Sequence, residues 1–319
     1  MNKEYISVLF LIGVVLTVIL DFIIINIQTN KQIGQITRLL GPKTHRSKNK
    51  TPTLGGIGFV LSFVILFVFF SLIFNIEVKF LLICFPIISY SLLGLIDDLI
   101  IVIKKDNEGI SSTLKLFIQV AIACIYFYIL LHNNYDTHIY FLNYTFDLKF
   151  LYGLFILLLF TGFTNATNLT DGIDGLLGGC SVICLFGIFL IALKSNLEIS
   201  TTIILLISTI FGFLIWNYPK AKIFMGNIGA YAIGAFIVTV CILLKIEAYL
   251  FIFGGIFLLE TISVIIQVLY FKITKGKRIF KMAPLHHHFE LSGYNEKEVL
   301  HMFYIIEIIF VYIAILLLI

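Results

Sequence analysis

Ten long runs of apolar residues, separated by short polar segments, dominate this 319-residue chain. A helix needs roughly 20 apolar residues to cross about 30 Å of hydrocarbon, so each run is a candidate membrane-spanning helix. Hydrophobic residues make up 60% of the chain and charged residues 13%, which is too little charge to coat a soluble domain. This composition excludes a soluble enzyme, a secreted disulfide scaffold and a disordered protein. The predicted spans are 5–27, 54–74, 80–96, 114–131, 151–164, 176–193, 201–216, 230–244, 249–271 and 299–319.

The runs predict an all-α, polytopic integral membrane protein with about ten transmembrane helices, folded as a single domain over residues 1–319. The fifth run is short and contains Gly162, so nine spans is the alternative count. The first run is long and no small-residue cleavage site follows it, which favours an anchor over a removed signal peptide. Since little chain is left outside the spans, any functional surface must be built from loops and helix ends.

Basic residues are concentrated in alternate connections between the runs. The segments after the first, third, seventh and ninth runs hold most of the 22 Lys and Arg residues. By the positive-inside rule these segments face the cytoplasm. Ten spans then place both termini on the extracytoplasmic side.

Carboxylates occur in two groups on the face assigned to the cytoplasm. Asp97 and Asp98 end the third run, and Asp171 and Asp174 lie between the fifth and sixth runs. Paired acids at the end of an apolar helix repel each other unless a cation neutralises them. Mg²⁺ suits such a place, because it usually binds one or two carboxylates together with substrate phosphates. For Asp97 and Asp98, an ordinary solvated helix terminus is the alternative interpretation.

The stretch 165–175 is rich in Asn, Thr and Asp, between two strongly apolar runs. Amides and carboxylates can recognise the donor and acceptor groups of a nucleobase or a ribose. Asp171 and Asp174 are three residues apart, so on one helical turn they would point the same way. We interpret this stretch as a ligand site.

Three consecutive histidines, His286 to His288, lie in the basic segment after the ninth run. They suggest either a metal-binding tract or donors to diphosphate and sugar oxygens. Adjacent histidines cannot all point one way, which makes a zinc site formed by these three alone poor in geometry and favours the second interpretation.

The first connection between runs is strongly basic and ends in a Thr-Pro-Thr turn followed by Gly55 and Gly56. Most of its cations are interpreted as a flank that binds anionic lipid head groups. Lys48 and Thr53 are the exceptions, because the turn and the glycines suggest backbone brought close to a ligand.

Together these motifs resemble the polyprenyl-phosphate N-acetylhexosamine-1-phosphate transferase superfamily. Within it they are most similar to the phospho-N-acetylmuramoyl-pentapeptide-transferase branch (MraY, translocase I). The Asn-rich stretch is typical of the superfamily, and the run His-His-His-Phe-Glu singles out the branch. The matching pieces occur in the family's order at 51–56, 97–98, 165–175, 224–226, 260–267 and 284–290.

The resemblance implies transfer of phospho-MurNAc-pentapeptide from UDP-MurNAc-pentapeptide to undecaprenyl phosphate, giving lipid I and UMP for peptidoglycan synthesis with Mg²⁺ as cofactor. It implies a multi-pass protein of the bacterial inner (plasma) membrane, embedded in the lipid bilayer with its active site on the cytoplasmic face and no nucleic-acid partner. A homodimer is left open.

The resemblance also assigns roles to residues of this chain. The catalytic residues would be Asp97, Asp98 and His286, and the metal ligands Asp97, Asp98 and Asn227. The substrate-binding residues would be Lys48, Thr53, Lys105, Asn165, Asn168, Asp171, Asp174, Phe224, Gln267, His287 and His288.

The chain departs from the family pattern at two positions. Asn227 stands where the family has a metal-binding Asp, and Ile101 stands where it has a Lys. An amide oxygen can bind Mg²⁺ but contributes no charge. A catalytically impaired paralogue that binds carrier lipid or UDP-sugar is therefore the alternative to an active enzyme. A transferase for another UDP-sugar and a transporter are further alternatives, but a transporter needs ionisable groups near the bilayer midplane rather than at one face.

Overall fold

The protein is seen in a computed structural model that describes residues 3–31, 34, 51–74, 77–104 and 109–319. Lys48 and Lys105 lie outside the described residues. Ten of the described helices are long and apolar enough to cross a membrane, which confirms ten spans over nine. The helices are α1 (Lys3–Asn30), α2 (Gly56–Phe74), α3 (Glu77–Lys104), α4 (Ser112–His132), α5 (Leu151–Thr170), α6 (Leu176–Ser195), α7 (Leu197–Asn217), α8 (Gly226–Leu243), α9 (Leu250–Phe253), α10 (Gly255–Ile273), α11 (Leu285–Glu290) and α12 (Glu296–Leu318).

Helix α8 forms the centre of the bundle, where every residue from 228 to 242 is buried. Small residues let neighbouring backbones approach it closely, as is common between helices in membranes. A Cβ on Gly234 would lie 2.8 Å from the Cα of Thr164 in α5. A Cβ on Gly94 in α3 would lie 2.4 Å from the carbonyl oxygen of Asn227. These contacts hold the ends of α3, α5 and α8 beside one another.

The ninth predicted span, 249–271, is not one continuous helix. The 3-10 helix Glu247–Tyr249 and the short α9 come first, and the spanning helix begins only at Gly255. The chain breaks at Gly254, which packs so closely on Phe163 that a Cβ would lie 2.3 Å from the ring. The carboxylate of Glu307 accepts a hydrogen bond from the Ile256 N–H at 3.0 Å, which satisfies a backbone donor at the new helix start.

A small antiparallel hairpin is the only sheet among the described residues, and the sequence did not predict it. Strand β1 (His138–Phe141) pairs with β2 (Tyr144–Asp147). The ammonium of Lys245 links the segment before the hairpin to the 3-10 helix, since it donates to the carbonyl of Asp136 at 2.9 Å and to Glu247 Oε1 at 3.2 Å. Apart from this hairpin, the prediction of a polytopic all-α membrane protein is confirmed.

Candidate active site

Asp98 binds the first turn of α8 through backbone hydrogen bonds. Its Oδ1 accepts from the Asn227 N–H and its Oδ2 from the Ile228 N–H, both at 3.1 Å. Helix starts leave such N–H groups without intrahelical partners, so this buried carboxylate caps α8. Gly94, one turn earlier in α3, allows the two helices to come close enough for the contact.

Asp97 is surrounded by three hydrogen-bond donors. Its Oδ1 accepts from the Ile110 N–H at 2.6 Å, and its Oδ2 accepts from Lys115 Nζ and Asn227 Nδ2, each at 2.7 Å. A carboxylate only accepts hydrogen bonds, so the amide of Asn227 must face Asp97 with its NH₂ group. Where the family has a third acid, this chain therefore has an amide that donates a hydrogen bond to Asp97.

The stretch 165–175 is partly helical, because α5 continues to Thr170 rather than ending at the predicted residue 164. Asn165 is held inside the bundle, where its Nδ2 donates to Gln119 Oε1 at 3.1 Å and to the Thr161 carbonyl at 2.6 Å. Asp171 follows the last helical residue, so it shares no helical turn with Asp174. The two acids instead lie in the tight turn that connects α5 to α6.

The two acids of this turn have different surroundings. Asp174 is buried and its Oδ2 accepts from the Ala221 N–H at 2.9 Å. Burial raises the pKa of Asp171 to about 7, and the negative charges of Asp98 and Asp174 add to the effect. Asp171 and Asp98, assigned from separate motifs, therefore lie near enough to repel each other. Among the described residues, no cation or hydrogen-bond donor offsets the negative charge at Asp171.

A polar cleft of about 180 Å³ lies beside the acid pair, between α4, α5 and α8. The hydroxyl of Tyr231 is buried there and finds no hydrogen-bond partner among the described residues. One cation, several amides and two hydroxyls suit a phosphate or a polyhydroxyl ligand. The lining residues are Ser112, Lys115, Leu116, Gln119, Asn165, Asn168 and Tyr231.

Four polar residues of this cleft were not predicted as site residues: Ser112, Lys115, Gln119 and Tyr231. In the sequence, Lys115 is only one of the basic residues that follow the third run. Gln119 and Tyr231 lie inside apolar runs. The sequence alone does not distinguish a polar side chain that reaches a cleft from one that is buried within a span. A search for amides and hydroxyls one or two turns inside the ends of spans could have found them.

The three histidines point in three directions, as their adjacency predicts. Nδ1 of His286 lies 2.8 Å from Glu260 Oε2, and Nδ1 of His287 lies 3.0 Å from Glu290 Oε2. His288 Nδ1 accepts from the Lys281 N–H at 3.1 Å. Nε2 of His286 packs directly against Gly172, where a Cβ would lie 2.0 Å away. The histidine motif and the turn with Asp171 are therefore in contact.

Residues 52–56, where the first connection meets α2, pack against the segment before α8. The Phe224 N–H donates to the Pro52 carbonyl, Gly55 N–H donates to the Phe224 carbonyl and Gly56 N–H donates to the Met225 carbonyl, each at 2.8 Å. Gly55 and Gly56 do bring backbone into close approach here, and a ligand beside this turn stays a prediction. The close approach is to the chain's own backbone, because a Cβ on Gly56 would lie 2.4 Å from the nitrogen of Gly229.

Thr53 and Gln267 serve the architecture around the site. The Thr53 N–H donates to Gln28 Oε1 at 2.8 Å, which fixes the turn on α1. Gln267 holds the segment before the histidines through the backbone of Ile279 and Phe280, at 3.0 to 3.1 Å. Half-buried Phe224 lies three residues before Asn227, close in sequence to the start of α8. No hydrogen bond or ion pair joins Gln267 or His288 to the acid pair within the described ranges.

Known proteins match nearly the whole chain. Residues 80–245 match the sequence profile of glycosyl transferase family 4. The phospho-N-acetylmuramoyl-pentapeptide-transferase of Staphylococcus carnosus is 42% identical over 311 residues, which are 95% of this chain and 96% of that protein. The chain belongs to this transferase family. The Bacillus subtilis transferase is 39% identical over 95% of both chains, and the transferase of Geobacillus thermodenitrificans is 37% identical over 97% of both.

Membership of the transferase family implies a Mg²⁺ ion, and the acid residues of the site differ in how free their oxygens are to bind one. No group of three or more His, Cys, Asp or Glu residues in the described part of the chain forms a ready metal site. Asp97 faces the NH₂ side of Asn227, and its Oδ2 already accepts two hydrogen bonds, so that only Oδ1, which accepts one, keeps a lone pair. Each oxygen of Asp98 accepts one hydrogen bond and keeps a lone pair, and Asp171 carries the uncompensated charge described above. These two carboxylates fit a hard divalent cation.

Proposed function

We propose that this chain transfers phospho-MurNAc-pentapeptide from UDP-MurNAc-pentapeptide to undecaprenyl phosphate, forming lipid I and UMP. One observation carries the proposal: the acid pair, the amide-rich turn and the histidine motif meet at adjoining helix ends, although they are far apart in sequence. Relatives that share 37 to 42% identity over about 95% of the chain are named for this transferase.

The location of the site supports a cytoplasmic active face in the inner (plasma) membrane. The site lies on the same side of the spans as the Lys-rich and Arg-rich connections, which favours both termini on the extracytoplasmic side. A polyprenyl carrier cannot leave the bilayer and a nucleotide cannot enter it. A polar cleft at helix ends lets the two reactants meet at the surface.

The proposed chemistry is an in-line displacement at phosphorus. An oxygen of the carrier phosphate forms a bond to the phosphorus that bears MurNAc, the bond from that phosphorus to the bridging oxygen breaks, and UMP leaves with the electron pair. A strong general base is not required, since a phosphate monoester with a second pKa near 6 is already mostly ionised at pH 7. The protein's main tasks are to neutralise charge between two anions and to align them.

Particular residues suit these tasks. Lys115 presents an ammonium to the cleft and is held by Asp97, so it is placed to bind a phosphate oxygen. Asn165 and Asn168 line the same cleft and suit sugar or nucleoside hydroxyls. Asp98 and Asp171 would hold Mg²⁺, which when bound would neutralise charge on the diphosphate. Phe224 remains a proposed stacking partner for uracil.

The test is UMP release from the purified chain with both substrates, over a range of Mg²⁺ and Mn²⁺ concentrations. Release that depends on undecaprenyl phosphate supports the proposal, and no release under any condition overturns it. UDP-GlcNAc serves as a competitor, because turnover of this sugar instead would indicate a different transferase. Nucleotide binding without turnover would indicate the impaired paralogue. A large gain in UMP release in the Asn227→Asp variant would then show that Asn227 causes the impairment. Mass photometry in nanodiscs would decide whether the chain forms a homodimer.

A further inference from the structure

Glu260, a carboxylate outside the acid cluster, binds the histidine motif. Glu260 lies on α10 and is fully buried, which is costly for an acid unless its oxygens are bound. Its Oε1 accepts from the backbone N–H of His286 at 3.2 Å, and its Oε2 lies 2.8 Å from Nδ1 of the same residue. Both oxygens therefore serve one histidine. A carboxylate can only accept, so Nδ1 of His286 must carry the proton.

The other ring nitrogen of His286 is aimed at the candidate active site. The residue is 1% exposed, and its Nε2 is buried without a hydrogen-bond partner in the described part of the chain. Nε2 lies against Gly172, between the two acids of the α5–α6 turn. A buried ring nitrogen without a partner is uncommon, and here it points to a group that the bound substrate supplies.

We propose that Glu260 is a positioning residue for His286: it keeps the proton on Nδ1 and the ring at one angle, so that Nε2 is presented to the Asp171–Asp174 turn. The proposal rests on the proposed function, because Nε2 then meets the diphosphate end of the nucleotide substrate. A ring without this partner is free to turn or to change tautomer, and would present a C–H or the wrong nitrogen.

Glu260→Gln is the sharpest variant, because it keeps the volume of the side chain but has one acceptor for two N–H groups. The amide must turn its NH₂ group towards the backbone N–H or towards Nδ1, and the second arrangement moves the ring proton to Nε2. We expect kcat for UMP release to fall about 10- to 100-fold with little change in KM for the nucleotide. Glu260→Asp keeps two acceptors on a shorter stem and should recover part of the rate.

A variant cycle separates positioning from general stability. His286→Asn should lose at least as much activity as Glu260→Gln, and the double variant should be no slower than His286→Asn alone. The matched control is Glu307→Gln, which alters another buried acid of a spanning helix, one that binds the backbone N–H of Ile256 and makes no hydrogen bond to the histidine motif. It should lower the melting temperature at most, with kcat unchanged. A double variant whose loss of kcat equals the product of the two single losses would overturn the proposal.

The tautomer gives a readout that does not need catalysis. In ¹⁵N-histidine-labelled protein, the His286 resonances are those lost in His286→Asn. At alkaline pH they should report a protonated Nδ1 in the parent and a shift towards protonated Nε2 in Glu260→Gln. A parent ring with its proton on Nε2 overturns the proposal, even in an active enzyme. If the parent releases no UMP but shows the expected tautomer, the proposed function fails and the positioning role of Glu260 stands.

Discussion

Replacing Asn227 with Asp should make the stability of the protein depend on divalent cations. The substitution removes the Nδ2–H···Oδ2 hydrogen bond to Asp97, 2.7 Å long, and sets a second carboxylate in its place. Two unit charges about 4 Å apart repel by about 4 kcal/mol at an effective dielectric constant of about 20. Lys115, which already contacts Asp97, offsets part of that repulsion. Since proteins are stable by about 5–15 kcal/mol, the loss is a large fraction of the total.

The assay is thermal unfolding in detergent, followed by the fluorescence of the single Trp residue. In EDTA the Asn227→Asp variant should melt well below the parent, and excess Mg²⁺ should restore most of the difference, because binding at 100 times Kd adds about 2.7 kcal/mol. Asn133→Asp is the control, since it adds a carboxylate after the last residue of α4, at the opposite end of that helix from Lys115. Its melting temperature should not respond to Mg²⁺. Equal melting temperatures for parent and Asn227→Asp in EDTA would refute the reasoning.

Three further outcomes are expected. Lys115→Met should lower UMP release at least 10-fold, and it should destabilise the protein by about 3 kcal/mol because it leaves Asp97 buried beside one fewer donor. Gly172→Ala should cost activity and about 1–3 kcal/mol of stability, since the new methyl group meets a buried imidazole, whereas Gly162→Ala meets nothing within 4 Å and should be neutral or slightly stabilising. In EDTA, the melting temperature should fall as pH rises from about 4 through 7. The reason is that the raised pKa of Asp171 lets the folded state keep a proton that the unfolded state has already released. The Asp171→Asn variant should show a smaller fall over the same pH range.

The number of spans could be predicted because bilayer thickness demands long apolar runs, and these are visible without any knowledge of packing. The break at Gly254 could not be predicted in the same way. The break coincides with a tertiary contact between Gly254 and the ring of Phe163, while the local sequence is apolar throughout and only the pair Gly254 and Gly255 marks the place. The hairpin was missed for a related reason, because its two short strands gain their support from contacts with the helical bundle.

The residue types of the site were readable from sequence, but their partners were not. Asp98 reads as a metal ligand, and the structure shows that it also caps α8. Glu260 reads as part of the matching stretch 260–267 inside a span, and nothing in that stretch indicates that it holds a histidine 26 residues further along the chain. Such pairings depend on which helix ends meet, and hydropathy does not contain that information.

The cap on α8 has an electrostatic consequence for the anionic reactants. The start of a helix carries a partial positive charge from its aligned peptide dipoles, and proteins often use it to hold phosphate. Here a carboxylate already occupies that position through two backbone N–H groups. The macrodipole of α8 therefore stabilises the protein's own anion, so the phosphates need counter-charge from other groups, of which Lys115 in the cleft is one in the described part of the chain.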